Sequence, residues 1–135
     1  MNILKLELTH FGKFHLKTIT FTSGLNIVYG KNEAGKSTIH AFVRSMLFGI
    51  PDTKEGNERY SHYLPWETPH DFCGRMWIKK DDKVYRIERN FLRPQPTVRI
   101  FDDETDESLQ PAKQHLRQIL SGLTETSYLN TICIE

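Results

Sequence analysis

Hydrophobic residues recur along this chain with two periods, and the switches between them mark out its elements. Leu4, Leu6 and Leu8 alternate with Lys5, Glu7 and Thr9, the period of a half-buried strand. Gly12 suggests a turn, after which Phe14 and Leu16 are followed by Ile19 and Phe21 in the opposite phase. That slip predicts a bulge or break. Ser23 and Gly24 turn the chain into a short run where Leu25, Ile27 and Tyr29 alternate with Asn26 and Val28, so three strands are expected before the first helix. The period then lengthens. Ile39, Phe42, Val43, Met46, Leu47 and Ile50 fall three and four residues apart, one stripe of an amphipathic helix. Gly49, suited to a left-handed cap, and Pro51 close it.

No period survives over residues 52–72, and the three prolines Pro51, Pro65 and Pro69 punctuate a run bearing Tyr60, Tyr63, Trp66 and Phe72. A long irregular segment is expected there, a flap with Arg59 or an aromatic ring reaching a ligand, or else rings that staple the segment to a sheet. From Cys73 the period returns to two. Met76 and Ile78 oppose Arg75, Trp77 and Lys79, and Asp81 and Asp82 turn the chain into a strand where Tyr85 and Ile87 alternate with Arg86 and Glu88. Pro94 and Pro96 delay a third strand at residues 97–101, completing an antiparallel meander. Ser108 is expected to cap a last helix carrying Leu109, Ala112, Leu116, Ile119 and Leu120, with Pro111 in its first turn. Thr124 is expected to cap a shorter helical turn, and residues 131–135 read as strand.

Composition changes this picture little. The 135 residues, 38% of them hydrophobic, suit one domain with a modest core. A formal charge of +1 exerts no global pull toward nucleic acid or membrane. Cys73 and Cys133 lie far apart and fit reduced packing residues better than a disulfide framework. There is no apolar run long enough to span a membrane and no signal peptide, which makes a cytoplasmic protein the default.

The sharpest chemical signal sits between the third strand and the first helix. Gly30, Gly35, Lys36 and Ser37 satisfy GxxxxGK[ST], the Walker A pattern, in the order strand, loop, helix. Such a P-loop points backbone N–H groups at nucleotide phosphates, aided by the positive end of the helix dipole. Lys36 adds charge at the β- and γ-phosphates, and Ser37 offers a hydroxyl to Mg²⁺. Gly30, Lys31, Asn32, Glu33, Ala34, Gly35 and Thr38 shape the cradle. The bland alternative is a glycine turn with no ligand.

The opening of the chain, a strand, the HFGKF turn, a second strand, SGLNIVYG and then KNEAGKST, resembles the N-terminal end of SMC/SbcC-type ATPase heads, an ABC-like group. It is most similar to their YhaN-type branch, whose members carry long coiled-coil arms. Asn32, Glu33 and Ala34 match the filling usual in that family's loop. The resemblance implies an α/β fold with the P-loop helix packed on a mixed sheet, flanked by the antiparallel meander. It implies ATP and Mg²⁺ as cofactors, and as partners the C-terminal half of the same head, a second head, DNA and a nuclease subunit. In the family, ATP sandwiched between two heads repositions coiled coils and DNA, a role in DNA repair or chromosome maintenance. The related heads place a Mg²⁺-sensing glutamine just where this chain ends. The expectation is a single partial domain over 1–135, cut short before that glutamine, or an unusually short homologue. Alone it should bind ATP and hydrolyse it poorly.

Three stretches imitate missing parts. Residues 98–104, VRIFDDE, look like a Walker B strand, but the acid-rich continuation fits a hairpin turn. Residues 120–124, LSGLT, echo an ABC signature without its second glycine. Residues 71–74, DFCG, match the DxxG of GTPases, yet no NKxD occurs. His62, His70 and Cys73 lack the spacing of a metal site. Arg75, Lys79, Lys80, Lys83, Arg86, Arg89, Arg93 and Arg99 make the meander basic, either a face for DNA phosphates or a solvated surface balanced by Asp81, Asp82 and Glu88. A small P-loop kinase and a non-catalytic nucleic-acid-binding module are the rival readings.

Overall fold

The computed structural model describes residues 2–21 and 33–120, with side chains in the second segment from Ser37 onward. The third expected strand, at residues 25–29, and everything after residue 120 lie outside the described residues. Six strands form one sheet in the order β2-β1-β3-β4-β5-β6: β1 Asn2–Phe11, β2 Phe14–Thr20, β3 Cys73–Lys80, β4 Lys83–Asn90, β5 Thr97–Asp102 and β6 Glu107–Ser108. Every described pairing is antiparallel. The strand at residues 25–29, on which the expected mixed sheet depends, lies outside the described residues, while the meander expected to flank the sheet is part of it. The meander is not a flank, because β3 hydrogen-bonds directly to β1 and continues its sheet.

Helices α1 Glu33–Phe48, α2 Lys54–Tyr63 and α3 Ala112–Leu120 complete the described structure. Ile3, Leu6, Leu8 and Phe11 of β1, Met76 and Ile78 of β3, Ile87 of β4 and Ile100 of β5 form a buried cluster with Phe42, Val43, Met46 and Leu47 of α1. Gly74 lets α1 approach, since a Cβ there would run into the Phe42 ring. That packing need accounts for the glycine of DFCG without a nucleotide.

Several local expectations change in the structure. In β1 the buried residues are Ile3, Leu6, Leu8 and Phe11, and Leu4 is only partly covered. Register shifts against β3 between Ile3 and Lys5 and between Glu7 and His10 break the strict alternation, as bulges do. The slip in β2 is not an inserted residue, because its register with β1 is continuous. Instead Leu16 adopts φ 53 and stands 64% exposed. Asp81 and Asp82, at φ 52 and 65, make the two-residue hairpin between β3 and β4, the left-handed pair that matches strand twist.

The expected irregular segment contains a ten-residue helix. Thr53 caps α2 by accepting a hydrogen bond from the Gly56 amide at 3.0 Å. Its polar sequence hides the helix, because its buried residues, Gly56 and Arg59, leave no apolar stripe. Ser108 does not cap α3. It pairs with Phe101 as part of β6, and the helix begins at Ala112. Lys80 Nζ donates to the carbonyls of Gln118 and Ile119 at 3.2 and 2.5 Å, in the last described turn of α3.

Candidate functional site

Helix α1 opens at Glu33, within the loop pattern, so Glu33, Ala34, Gly35 and Lys36 form its first turn. The first four amides of a helix have no intrahelical acceptor, and here those four belong to the residues of the pattern. Gly30, Lys31 and Asn32 fall outside the described residues, as do the side chains of Glu33, Ala34 and Lys36. Ser37 is exposed and Thr38 is buried. Ser37 is therefore on the solvent side, while Thr38 faces the fold.

Thr38 is held beneath the β1–β2 turn. Gly12, at φ +60, leaves room where a Cβ would stand 3.5 Å from Thr38 Cγ2 and 3.3 Å from Tyr63 Cδ1. The Gly12 amide donates to the Tyr63 carbonyl at 2.6 Å. The start of α1, the first hairpin turn and the end of α2 thus meet at one glycine. Beside this junction lies a cleft of about 360 Å³, walled by His10, Lys13, Phe14, His15, Trp66 and Glu67 among others. Trp66 is 87% exposed, an unusual position for a large apolar ring. The two imidazoles across the hairpin share one hydrogen bond, His10 Nδ1 to His15 Nδ1 at 3.0 Å, and Asp71 lies 4.0 Å from His10 Nε2.

Arg59 does not reach this end of the helix. It is buried, its guanidinium donates to the Gly49 carbonyl at 3.3 Å and lies 3.6 Å from Glu55, so it serves the opposite end of α1. The rings divide. Tyr63 stacks on Phe11 with centroids 5.2 Å apart, and Tyr60 meets Phe72 edge-on at 5.2 Å, stapling α2 to the sheet. Trp66 does not join them. The sequence pattern alone did not separate this ring from its neighbours, and the HFGKF turn gave no sign that it borders the loop helix.

The remaining candidates resolve into structural parts. Asp102 Oδ1 accepts from the Glu104 and Thr105 amides at 3.0 and 3.4 Å, and Asp103 Oδ1 from Trp77 Nε1 and Arg86 at 3.1 and 3.0 Å. These acids build a hairpin turn rather than a Walker B end. Among the described residues no three His, Cys, Asp or Glu side chains converge on one point. Burial, with Asp71 adding to it, pushes the Cys73 thiol pKa up, making it a poor ligand or nucleophile. LSGLT extends beyond the described residues.

The basic meander is largely neutralised. Arg75 pairs with Glu7 at 2.6 Å, and Arg99 with Glu88 at 3.2 Å. Arg86 bonds Asp106, Glu88 and Asp103 at 2.5 to 3.0 Å, and these hydrogen bonds, led by Asp106, raise its already high pKa. Arg89 and Arg93 leave the face altogether. Arg89 donates to the Met46 and Leu47 carbonyls at 2.6 and 3.4 Å, and Arg93 to Asn57 and the Pro51 carbonyl at 2.6 and 3.1 Å.

The family model of the AAA domain matches residues 1–135. YhaN of Bacillus subtilis is 45% identical over 56 residues, covering 41% of this chain and 6% of that protein. A protein named DNA double-strand break repair Rad50 ATPase, from Thermococcus kodakarensis, is 26% identical over 144 residues, covering 99% of this chain and 15% of its own length. The chain thus spans a small part of each relative. These matches agree with the resemblance to the N-terminal region of SMC/SbcC-like ATPases. No described helix is long and apolar enough to cross a membrane.

Proposed function

The chain belongs to the AAA domain family, and from that premise we propose that it is the ATP-binding N-terminal part of an ATPase head of the SMC/Rad50 type. The observation that carries this reading is the start of α1 at Glu33, inside GKNEAGKST. Amides without an intrahelical acceptor and the positive helix end then coincide with the glycine-lysine-serine run. In this reading, the amides of residues 30–36 cradle the β- and γ-phosphates, Lys36 neutralises their charge, and Ser37 Oγ takes one position on Mg²⁺. Thr38, buried under Gly12, fixes the helix end against the first hairpin. Mg²⁺ supplies charge neutralisation at the phosphates when bound.

The cleft beside the junction suits the nucleobase. Exposed Trp66 offers a stacking surface, worth roughly 1–3 kcal/mol per base in such contacts, and His10 and His15 offer ring nitrogens to its polar edge. A role in DNA repair or chromosome maintenance, with a second head, the C-terminal half of the head, DNA and a nuclease subunit as partners, belongs to the complete protein. The repair role draws on the name of the Rad50 relative, and the partners on the family resemblance. Titration of the 135-residue chain with ATP and Mg²⁺ tests the site. Lys36→Ala should abolish the binding, and undiminished affinity in that variant refutes the assignment.

A further inference from the structure

At the far end of α1 lies a groove of about 510 Å³, between its last turn with residues 49–51, the β4–β5 connection and α3. Leu47, Phe91, Val98, Leu116 and Leu120 give it apolar walls, and four cations line it: Arg89, Arg93, Lys113 and Arg117. Among the described lining residues there is no Asp or Glu. The outer sheet face is the contrast, since Arg75, Arg86 and Arg99 each meet a carboxylate there.

Arg89 and Arg93 are also held by the fold, through the Met46, Leu47 and Pro51 carbonyls and Asn57, whereas Lys113 and Arg117 meet no carboxylate among the described residues. On α3, Lys113, Leu116, Arg117 and Leu120 follow one another at i, i+3, i+4 and i+7, a single stripe facing the groove. Lys113 and Arg117 are exposed. Arg89, deeper in, has only backbone carbonyls as hydrogen-bond acceptors, and burial lowers its pKa to about 10, which leaves it charged at neutral pH. A nucleic-acid backbone would satisfy the charges and leave the apolar walls unmatched.

We propose that this groove docks an acidic protein segment, an amphipathic stretch whose Leu or Phe side chains enter between α1 and α3 while its Asp or Glu carboxylates meet Arg93, Lys113 and Arg117. This is the helix-in-groove mode, with charge setting partner choice. The site is separate from the nucleotide end of α1, so its test does not depend on ATP binding.

Selection of a random 12-residue peptide display library on the 135-residue chain, alongside the K113E/R117E variant, tests it. The wild-type chain should enrich sequences combining Leu or Phe with a net negative charge, and the selected peptides should bind the variant at least tenfold more weakly and weaken with salt. Circular dichroism should show the variant folded, as both substitutions are at exposed positions. Enrichment of neutral or basic peptides, equal binding to both proteins, or no enrichment overturns the proposal. So does a 20-base-pair DNA duplex whose binding is lost in the variant while no peptide is selected, since that assigns the cations to nucleic acid.

Discussion

The two ends of α1 receive opposite treatment. At the N-terminal end, the first turn holds the glycine and lysine of the loop pattern, Ser37 is exposed, and Thr38 is tucked beneath a neighbouring turn. At the C-terminal end, Gly49 takes φ +78, its amide returns to the Ser45 carbonyl at 2.8 Å, and Arg59 and Arg89 donate to the Gly49, Met46 and Leu47 carbonyls. A helix leaves donors unmet at one end and acceptors at the other. This protein satisfies its acceptors internally with arginines 10 and 43 residues further along. The lesson is that remote arginines close this end and anchor the helix, a support the proposed nucleotide end would draw on.

Breaking the anchored end should have the largest effect on stability. Arg89→Met removes the donors to Met46 and Leu47, and unsatisfied buried carbonyls cost about 2 kcal/mol. Urea unfolding should show that loss, while ATP affinity of the folded variant stays within about twofold. Unchanged stability would deny that the arginine anchors anything. Gly12→Val tests the junction at the other end. A β-branched residue at φ +60, against Thr38 and Tyr63, should cost about 1–2 kcal/mol and also weaken ATP binding several-fold. If stability falls but calorimetry finds affinity intact, the hairpin does not support the nucleotide end.

Thr53→Ala removes the cap of α2, the helix whose last carbonyl receives the Gly12 amide, and should cost about 1 kcal/mol in thermal or urea unfolding. A null result would mean that the rings alone hold α2. The smallest effect on folding is expected from Trp66→Ala, below about 0.5 kcal/mol because the ring is exposed. Its effect on nucleotide affinity should instead be about tenfold, comparable to losing one stacked base. Equal affinities for ATP and inorganic triphosphate in the wild type would remove the base from the cleft.

What the residue pattern determined by itself is local. Alternation marked β3, β4 and β5 with their turn, the three-and-four spacing marked the body of α1, and Gly49 marked its end, because burial of one face imposes its period on neighbouring residues. The nucleotide signal was legible for the same reason, its parts lying within eight consecutive positions. The tertiary structure decided what depends on distant neighbours. Glu7 neutralises Arg75, and Met46 and Leu47 turn Arg89 inward, from 68 and more than 40 residues away. Pairing with β3 bends β1 and buries Ile3 in preference to Leu4. Helix α2 forms despite its polar sequence because Phe11 and Phe72 receive its two tyrosines. A side chain's charge or ring is fixed by its chemistry, but whether it faces solvent, a carboxylate or a carbonyl depends on which remote segment folds against it.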